Sequence, residues 1–297
     1  MKTGWSAFLK SFLISFVIIF SLGAILFSYL MNDQYKALES SSAPHVTENY
    51  TLQEDEEMNI LVAMSETREA VADRFLLLNI DPIDRMVIVT GIPNNAQATV
   101  NIKTGTISEL YDYGGAPMAV RAVQNLFFIT IDRYIRVDNE SLAQIVDMLG
   151  GVEYEVEQPA VYQSPTGSTV EVETGRQLLD GRRFAAMLRN REMGTLEQVN
   201  TAARLTSALL EQRLGGLSKK LDSFYREMVN LTDTNLSSFD YEYRKHGLTA
   251  LMESGGTIYQ PVVLDGKEEG EVFTISDISK KEVKELYRLP TDEEETE

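Results

Sequence analysis

The chain has 297 residues, 43% of them apolar, so it can bury the core of one large or two modest domains and is not a disordered polymer. Its formal net charge of −18 excludes general binding to the phosphates of nucleic acids. The sequence contains no cysteine, which excludes disulfides and cysteine metal sites.

The N-terminal segment has the properties of a membrane anchor. Residues 1–10 contain Lys2 and Lys10, and residues 11–32 contain no charged side chain. As a helix the uncharged run would be roughly 33 Å long, which is enough to cross a bilayer core. We expect a transmembrane anchor over residues 11–31, with a cleaved signal peptide as the alternative.

The charges around this anchor predict its orientation. The lysines precede it and the acidic residues follow it, so the positive-inside rule places residues 1–10 in the cytoplasm and the remainder outside. Without Lys2 and Lys10, 25 basic residues stand against 45 acidic ones, a formal charge of −20 outside the membrane. A single span and an external domain without cysteine indicate a single-pass protein of a bacterial cell membrane, in contact with the lipid bilayer but not with nucleic acid.

Composition divides the external part into four segments. Residues 32–57 are polar and lack periodicity, which predicts a stalk. Residues 58–215 alternate between strand and helix patterns and form the predicted domain. Residues 216–290 are an extension of the same domain, and residues 291–297 are an acidic tail.

The first half of the domain is predicted to contain most of the strands. Apolar runs over 58–64, 75–80 and 85–92 predict central strands, and Asp-Pro-Ile-Asp at 81–84 predicts the turn between the last two. Helices are predicted over 117–128, after two glycines, and over 141–149. A short strand over 134–137 lies between them, extended chain follows over 152–157, and residues 164–167 are typical of a hairpin tip.

The second half is predicted to be mostly helical. Apolar residues at steps of three and four predict an amphipathic helix from about Leu196 to Gly215. Further helices are expected near 217–229 and 238–253, a strand over 258–264, and a last helix that Ser279 opens in a capping box with Glu282. The alternation of strands and helices predicts an α/β domain whose sheet is covered on both faces.

Few residues offer catalytic chemistry by themselves. The two histidines, His45 and His246, are far apart in sequence, and no glycine-rich phosphate loop or dinucleotide motif occurs. One basic group stands out in the acidic chain, and it consists of Arg182, Arg183, Arg189 and Arg191. Spacing alone favours a solvated helix face as the explanation of this group.

A series of motifs changes that interpretation. In chain order they are Asn-Ile-Leu-Val-Ala-Met-Ser-Glu-Thr-Arg at 59–68, Asp-Pro at 81–82, Ile-Pro at 92–93, Tyr-Asp-Tyr-Gly-Gly at 111–115, Ile-Asp-Arg-Tyr at 131–134, Val-Asp-Met-Leu-Gly-Gly-Val at 146–152, Leu-Asp-Gly at 179–181 and Arg-Asn-Arg at 189–191. In order and spacing they resemble the LytR-CpsA-Psr family. The resemblance covers about residues 58–215 and continues more weakly to the C-terminus.

The resemblance implies a fold and an activity. The fold is a three-layer α/β/α sandwich with a central mixed sheet, preceded by one N-terminal transmembrane helix. The activity is transfer of a glycopolymer from a polyprenyl pyrophosphate carrier to peptidoglycan outside the membrane, with Mg²⁺. Such a site needs arginines on the phosphate oxygens, carboxylates on the metal, and an apolar tunnel for the lipid.

The resemblance also assigns site residues. Glu66 stands where the family has its first aspartate, one methylene longer, and Asp73 keeps a second family carboxylate, so these two would hold Mg²⁺. Arg68, Arg189 and Arg191 would hold the phosphates, because an arginine fork matches phosphate oxygens. We expect these five side chains to converge at the mouth of an apolar cavity.

Other family residues are replaced. Asn94 and Asn95 stand in place of an arginine and an aspartate, and one arginine beside Asp73 is absent. The family motif Asp-x-x-Arg-x-x-Arg-Gln is replaced at all four positions, by Thr195, Gln198, Thr201 and Ala202. A hydrogen bond to a charged group contributes about 1.5 to 3 kcal/mol, so the loss of three arginines is expected to weaken pyrophosphate binding by several kcal/mol.

Nearby side chains remain candidates for substrate binding. The amides of Asn94 and Asn95 can hydrogen-bond a sugar or a phosphate but cannot neutralise its charge. Arg74, Arg182 and Arg183 offer positive charge that could compensate for the missing arginines.

Three functions follow from these features. The first is a degenerate family member, a membrane-anchored pseudoenzyme that binds polyprenyl-phosphate-linked glycopolymer or peptidoglycan and has an accessory role in wall assembly, with weak or no transferase activity. The alternative is an active Mg²⁺-dependent transferase. A second alternative is a non-catalytic regulatory or interaction ectodomain.

Overall fold

The computed structural model describes residues 52–53, 56–165, 167–190 and 192–287. In chain order the strands are β1 (Met58–Ser65), β2 (Arg74–Asp81), β3 (Met86–Ile92), β4 (Gln97–Val100), β5 (Lys103–Thr106), β6 (Arg133–Asp138), β7 (Val152–Val156), β8 (Ala160–Gln163), β9 (Thr169–Val172), β10 (Gly175–Leu179), β11 (Asp233–Thr234), β12 (Ile258–Val262), β13 (Gly266–Glu269) and β14 (Val272–Ile275). The helices are α1 (Ile107–Phe127), α2 (Asn139–Leu149), α3 (Gly181–Leu188), α4 (Thr195–Arg213), α5 (Leu221–Leu231), α6 (Ser238–Glu253) and α7 (Asp277–Leu286), with a 3₁₀ helix at Leu214–Lys220.

Six of the strands form a central sheet in the order β11-β6-β1-β2-β3-β12. The pairs β1–β2 and β2–β3 are antiparallel, whereas β1–β6 and β3–β12 are parallel. The prediction of an α/β fold with a central mixed sheet is therefore confirmed. The parallel pair places the carboxyl ends of β1 and β6 side by side, with Ser65 opposite Asp138.

Both faces of the central strands are buried, because successive side chains of a strand point to opposite faces. Leu61 and Ala63 of β1 join an apolar cluster that contains residues of α1 and α7, while Met64 joins another with residues of α2, α3 and α4. Phe75 and Leu76 of β2 divide between the two clusters in the same way. Strands buried on both faces are continuously apolar, which is why these runs predicted central strands.

The C-terminal part of the chain completes this core. The Tyr287 side chain, directly after α7, is fully buried. Its hydroxyl lies 2.8 Å from Oγ1 of Thr90 and donates to the carbonyl of Leu77 at 3.0 Å. Its own carbonyl accepts from Nδ2 of Asn59 at 2.8 Å. These contacts tie the end of α7 to β1, β2 and β3, so α7 shares a core with the strands. Leu217, Leu221, Tyr241 and Met252, in the segment between α4 and β12, form a separate small cluster.

The helix predicted over 117–128 begins much earlier, at Ile107. Thr106 caps it in a capping box with Glu109. The two glycines before Pro117 leave helical geometry, with φ of 68° at Gly115, and so kink the helix. The helix predicted after the glycines is therefore present from Pro117 onward, where a missing N–H donor costs little, and the prediction missed only the segment over 107–113 before the kink.

The last helix also begins before its predicted start. Ser276 caps it and accepts from the Ser279 N–H at 3.2 Å. Ser279 is buried, and its hydroxyl accepts from the Asp265 N–H at 2.8 Å instead of opening the helix. By sequence alone, either serine could be the N-cap of the helix. The contact of Ser279 with Asp265 leaves Ser276 as the cap. The β4–β5 and β13–β14 hairpins were not predicted, because each of their strands has only four residues and β5 and β13 contain no apolar side chain.

None of the helices in the described part of the chain is both long and apolar enough to cross a membrane. The predicted anchor over residues 11–31, the cytoplasmic residues 1–10, most of the stalk and the acidic tail lie outside the described residues.

Candidate functional site

The loop between β1 and β2 presents predicted site residues at the carboxyl end of β1. The Asp73 N–H donates to the carbonyl of Met64 at 3.0 Å, which closes the loop. Arg136 of β6 donates to the carbonyl of Arg68 and so holds the middle of the loop. Glu66 and Arg68 line a groove beside it. The contacts of the loop with β1 and β6 therefore fix where Glu66 and Arg68 lie.

Arg189 is a buried cation at the centre of the site. It caps the carboxyl end of α3, and its side chain is 5% exposed. Nη1 donates to both carboxylate oxygens of Asp73 at 2.8 Å, and Nε donates to Oδ1 of Asn139 at 2.6 Å. Nη2 is buried and has no hydrogen-bond partner among the described residues. Buried N–H groups normally have an acceptor, so Nη2 is a donor that the described residues leave unsatisfied.

Helix α3 places Arg189 through the packing of its amino end. Asp180 caps this end, and the Gly181 N–H donates to Oδ1 of Asp147 at 2.7 Å. A Cβ at Gly181 would lie only 1.9 Å from the carbonyl oxygen of Ala143. Only glycine therefore allows α3 to approach α2 this closely. This contact fixes the position of α3 and so of Arg189 at its carboxyl end.

Two residues that the sequence analysis did not select complete the site. Nδ2 of Asn139 donates to the Tyr162 hydroxyl at 2.9 Å, and this hydroxyl donates to Oε1 of Glu66 at 3.1 Å. Burial raises the pKa of the Tyr162 hydroxyl, which keeps it protonated as a donor at neutral pH. A continuous chain of hydrogen bonds thus forms what we call the Arg189 cluster, namely Glu66, Asp73, Asn139, Tyr162 and Arg189.

The sequence contained a signal for one of these two residues. Asn139 follows β6 as Glu66 follows β1, and the two strands are parallel neighbours. Polar residues after the carboxyl ends of adjacent parallel strands meet at one edge of a sheet. Tyr162 comes from the β8–β9 hairpin, and no sequence pattern indicates where that hairpin packs.

The groove beside the cluster has a volume of about 740 Å³. Arg68 and Arg182 line it together with Glu66, Asn139 and Tyr162. Its walls also carry four further acidic side chains, which are Glu69, Asp138, Glu140 and Asp147. Among the described residues, Asp73, Arg183 and Arg189 do not line this groove. Arg183 is exposed, and Arg191 lies outside the described residues.

Arg74 contacts Asp73 from the β2 side. Its Nη1 donates to the carbonyl of Asp73 at 2.7 Å and lies 3.4 Å from the carboxylate. Its Nε donates to the carbonyl of Leu188 at 3.1 Å. Arg74 therefore supplies a second positive charge beside Asp73, although much of its donor capacity is directed at protein carbonyls.

The opposite side of the site contains the replaced residues. Asn94 and Gln198 line a cavity of about 10 Å³ together with Asp73. This volume holds about one water molecule, so the expected apolar tunnel is not open here. Helix α4 lies directly against β3, where a Cβ at Gly91 would be 2.1 Å from the carbonyl oxygen of Val199. The helix and the sheet thus leave no room between them for a lipid chain at this position.

A residue from β13 joins this side. Oε1 of Glu268 accepts from Nδ2 of Asn95 and from Oγ1 of Thr195, each at 3.0 Å. The hairpin is held in place by the Phe273 N–H, which donates to the carbonyl of Asn95 at 3.0 Å. We call this group the Asn94 edge, and its members are Asn94, Asn95, Thr195, Gln198 and Glu268. It combines neutral donors with one carboxylate, and none of its members is a cation.

The two carboxylates assigned to Mg²⁺ belong to one hydrogen-bonded cluster. Among the described residues, no group of three or more His, Asp or Glu side chains surrounds a common metal position. Mg²⁺ can bind through one or two carboxylates together with water and substrate phosphate, so Glu66 and Asp73 suffice in number. Both oxygens of Asp73 contact Nη1 of Arg189, however, and Asp73 can ligate a metal only by giving up part of this contact.

Solved structures with the same fold support this arrangement of strands and helices. The structure of TagV from Bacillus subtilis has a TM-score of 0.64 and 18% identity, covering 78% of this chain and 95% of that one. The structure titled TagT bound to LIIa-WTA has a TM-score of 0.61 and 18% identity, covering 83% of this chain and 96% of that one. At such identities the likeness shows the fold alone.

Curated relatives and a family profile connect the fold to a family. The polyisoprenyl-teichoic acid–peptidoglycan teichoic acid transferase TagU of Halalkalibacterium halodurans is 27% identical over 164 residues, 52% of each chain. Biofilm regulatory protein A of Streptococcus mutans is 30% identical over 92 residues, 28% of this chain and 23% of that protein. The chain thus spans about half the length, or less, of these relatives. The profile of the LytR_cpsA_psr family matches residues 25–253, and the chain belongs to this family, as its motifs predicted.

Proposed function

We propose that this chain is a cell-envelope protein that binds the phosphate of a polyprenyl-linked glycopolymer at the Arg189 cluster and transfers little or none of it. The family and the relatives named as teichoic acid transferases support a glycopolymer as the ligand. In this proposal residues 11–31 anchor the protein in the membrane, and the described domain lies outside it as an α/β/α sandwich.

The proposal rests on the burial and the hydrogen bonds of Arg189. Its guanidinium is buried and oriented by Asp73 and Asn139, yet its Nη2 has no acceptor among the described residues. A preoriented arginine binds a phosphate oxygen without the entropy loss of ordering a flexible side chain. In this proposal the ligand approaches through the groove that Glu66, Asn139 and Tyr162 line, where Arg68 and Arg182 add positive charge among five acidic side chains.

Weak transfer follows from the Asn94 edge. Transition-state stabilisation of a leaving pyrophosphate requires cations around its oxygens, and removal of a single donor costs on the order of 100-fold in rate. The family resemblance places arginines at positions 94 and 198, where this chain has amides. In addition, Asp73 is engaged with Arg189, which leaves Glu66 as the carboxylate freer to hold Mg²⁺.

An active Mg²⁺-dependent transferase is the second candidate. It is favoured by the hydrogen-bonded connection between Glu66 and Asp73 and by Arg74, whose Nη1 lies 3.4 Å from the Asp73 carboxylate. In this function Glu66 and Asp73 would hold the metal, which would offset charge on the phosphate oxygens.

A binding measurement tests the proposed site. We expect the full-length chain in detergent to bind inorganic phosphate, and Arg189→Ala to weaken this binding about 10-fold or more, because a charged hydrogen bond contributes about 1.5 to 3 kcal/mol. Titration calorimetry measures both constants. Arg183→Ala is the matched control, since this arginine of the same helix is exposed. Equal binding by the Arg189→Ala and wild-type chains would place the phosphate elsewhere.

An activity assay separates the two candidate functions. The chain is incubated with a polyprenyl-pyrophosphate-linked saccharide and Mg²⁺, and release of the carrier phosphate is measured. We expect release at least about 100-fold slower than that by a relative with both arginines of the Asn94 edge. Equal rates would establish the transferase instead.

A further inference from the structure

The groove beside the Arg189 cluster has an acidic lining. Two guanidiniums stand against five carboxylates, which leaves a formal charge of −3, and the carboxylates are those of Glu66, Glu69, Asp138, Glu140 and Asp147. Among the described residues, none of the five forms an ion pair with a lysine or an arginine. Three members of the Arg189 cluster line the same groove, so a ligand that reaches the cluster through it passes these charges.

We propose that this groove binds the saccharide part of the glycopolymer and selects sugars with free amino groups over their acetylated forms, with Glu69 and Glu140 as the specificity-determining residues. A protonated amine is attracted to unpaired carboxylates, whereas a polymer with a phosphate in each repeat would bring further negative charge to them. The inference rests on the proposed function, because it takes a glycopolymer as the ligand, and it adds the chemical class of the sugars.

The uncharged part of the lining suits a saccharide. Its hydroxyls and amides can donate and accept hydrogen bonds, as sugar hydroxyls require, and they belong to Thr67, Asn139, Ser141, Gln144 and Ser168. The volume of about 740 Å³ lies within the range of roughly 300 to 1,000 Å³ that small-ligand sites occupy. A lipid chain in this groove would bury polar groups without hydrogen-bond partners, which is costly. The groove therefore fits a polar chain better than a carrier lipid.

The carboxylates are spread along the groove and do not meet at one point. Among the described residues, no three Asp, Glu or His side chains surround a common metal position. A single divalent cation could therefore not pair with all five carboxylates. An oligosaccharide with an amine on each sugar carries its charges at intervals, and so it matches a dispersed set of carboxylates.

Glu69 and Glu140 differ from the other three carboxylates in their contacts. The other three accept hydrogen bonds from the protein, at 3.1 Å for Glu66, 2.9 Å for Asp138 and 2.7 Å for Asp147. Glu69 and Glu140 are exposed, and no described group donates to their side chains. Both also lie outside the motifs that the chain shares with its family. These two carboxylates are therefore available to a ligand and can give this chain a preference of its own.

The test compares two oligosaccharides by titration calorimetry on the full-length chain in detergent, at a pH that keeps sugar amines protonated. One probe is a glucosamine tetramer, and the other is its N-acetylated form, which has the same length and no charge. We expect the wild type to bind the glucosamine tetramer about fivefold or more tightly than the acetylated one. The double change Glu69→Gln with Glu140→Gln should lower the affinity for the glucosamine tetramer about threefold or more, because it removes two exposed ion pairs, and leave that for the acetylated form unchanged.

An acidic chain attracts any polycation, so the control removes the same charge elsewhere. Glu269→Gln with Glu271→Gln changes two exposed positions of the β13–β14 hairpin and should bind both tetramers as the wild type does. Equal affinities of the wild type for the two tetramers, no binding of either, or equal losses in the two double variants would overturn this inference, whether or not phosphate binds at Arg189. The expected preference in a wild type that did not bind inorganic phosphate would instead overturn the proposed phosphate site and leave this inference in place.

Discussion

The Arg189 cluster and the Asn94 edge differ in how their charges are balanced. In the cluster a buried guanidinium is held by the carboxylate of Asp73 and the amide of Asn139. At the edge, amides and a hydroxyl stand where the family resemblance predicts charged residues, and an exposed carboxylate, Glu268, joins two of them. One side of the site thus pairs a buried guanidinium with a partly exposed carboxylate, and the other side combines neutral polar side chains with one exposed carboxylate.

This comparison indicates which charged side chains of such a site can be replaced at little cost in stability. Removal of one partner of a buried ion pair leaves the other charge uncompensated, which costs several kcal/mol of stability. Replacement of an exposed charge usually changes stability by less than about 0.5 kcal/mol. Loss of Asp73, whose side chain is 35% exposed, is therefore expected to destabilise the fold by leaving the buried Arg189 guanidinium unpaired. Positions 94 and 198 are half-buried, and Gln198 donates to the carbonyl of Asn190 at 2.7 Å.

The largest effect is expected from Gly181→Ala. The new Cβ would meet the backbone of Ala143, so α3 must move away from α2 and carry Arg189 with it. We expect a loss of about 3 kcal/mol in the free energy of unfolding, measured by urea denaturation, and weaker phosphate binding. At Gly216 an added Cβ meets no atom within 4 Å, so Gly216→Ala is the control. Wild-type stability in Gly181→Ala would mean that the cluster does not depend on this contact.

A smaller effect is expected when charge is restored to the Asn94 edge. The double change Asn94→Arg with Gln198→Arg should raise pyrophosphate affinity roughly tenfold, because two new arginine donors face the second phosphate. Titration calorimetry with inorganic pyrophosphate measures this gain. The control places the same substitutions at two exposed positions, Asn230 and Gln212. Equal gains in both double variants would show that only the net charge of the protein matters.

The smallest effect concerns Glu57, a partly buried carboxylate at the opposite end of β1. Burial raises the pKa of Glu57 to about 7, and the hydrogen bond from Asn79 opposes this shift only in part. In the unfolded chain this carboxyl ionises near pH 4.5, so between pH 4.5 and 7 the folded state keeps a proton that the unfolded state has lost. Stability should therefore decrease as pH rises through this window and then become constant.

The Glu57→Gln variant tests this linkage. Its free energy of unfolding, measured by urea denaturation at pH 4.5 and pH 8, should depend less on pH than that of the wild type and should be higher at pH 8. Glu271→Gln, at an exposed position, should keep the wild-type dependence. If the free energy of unfolding of Glu57→Gln changed with pH as much as that of the wild type, another group would be responsible for the pH dependence.

Sequence patterns predicted the parts of the fold that depend on local rules. The runs at 58–64, 75–80 and 85–92 correspond to β1, β2 and β3, because strands buried on both faces need apolar residues at every position. The turn after β2 was also predicted, and there Oδ1 of Asp81 accepts from the N–H groups of Ile83 and Asp84. Helix starts were less predictable. The start at Ile107 follows from the local capping box of Thr106 with Glu109, which was overlooked, whereas at Ser276 the contact of Ser279 with Asp265 chose between two possible caps.

Sequence patterns alone were enough for the family, the mixed α/β fold and the naming of Glu66, Arg68, Asp73, Arg189 and Arg191 as candidate site residues, because motif order and apolar periodicity are local properties. Only the tertiary structure decided the partners of these residues. Tyr162 and Glu268 reach the site from hairpins far away in the chain, and the closed space between α4 and β3 depends on the contact of Gly91 with Val199. Such contacts depend on how whole elements pack, and no short window of sequence contains that information.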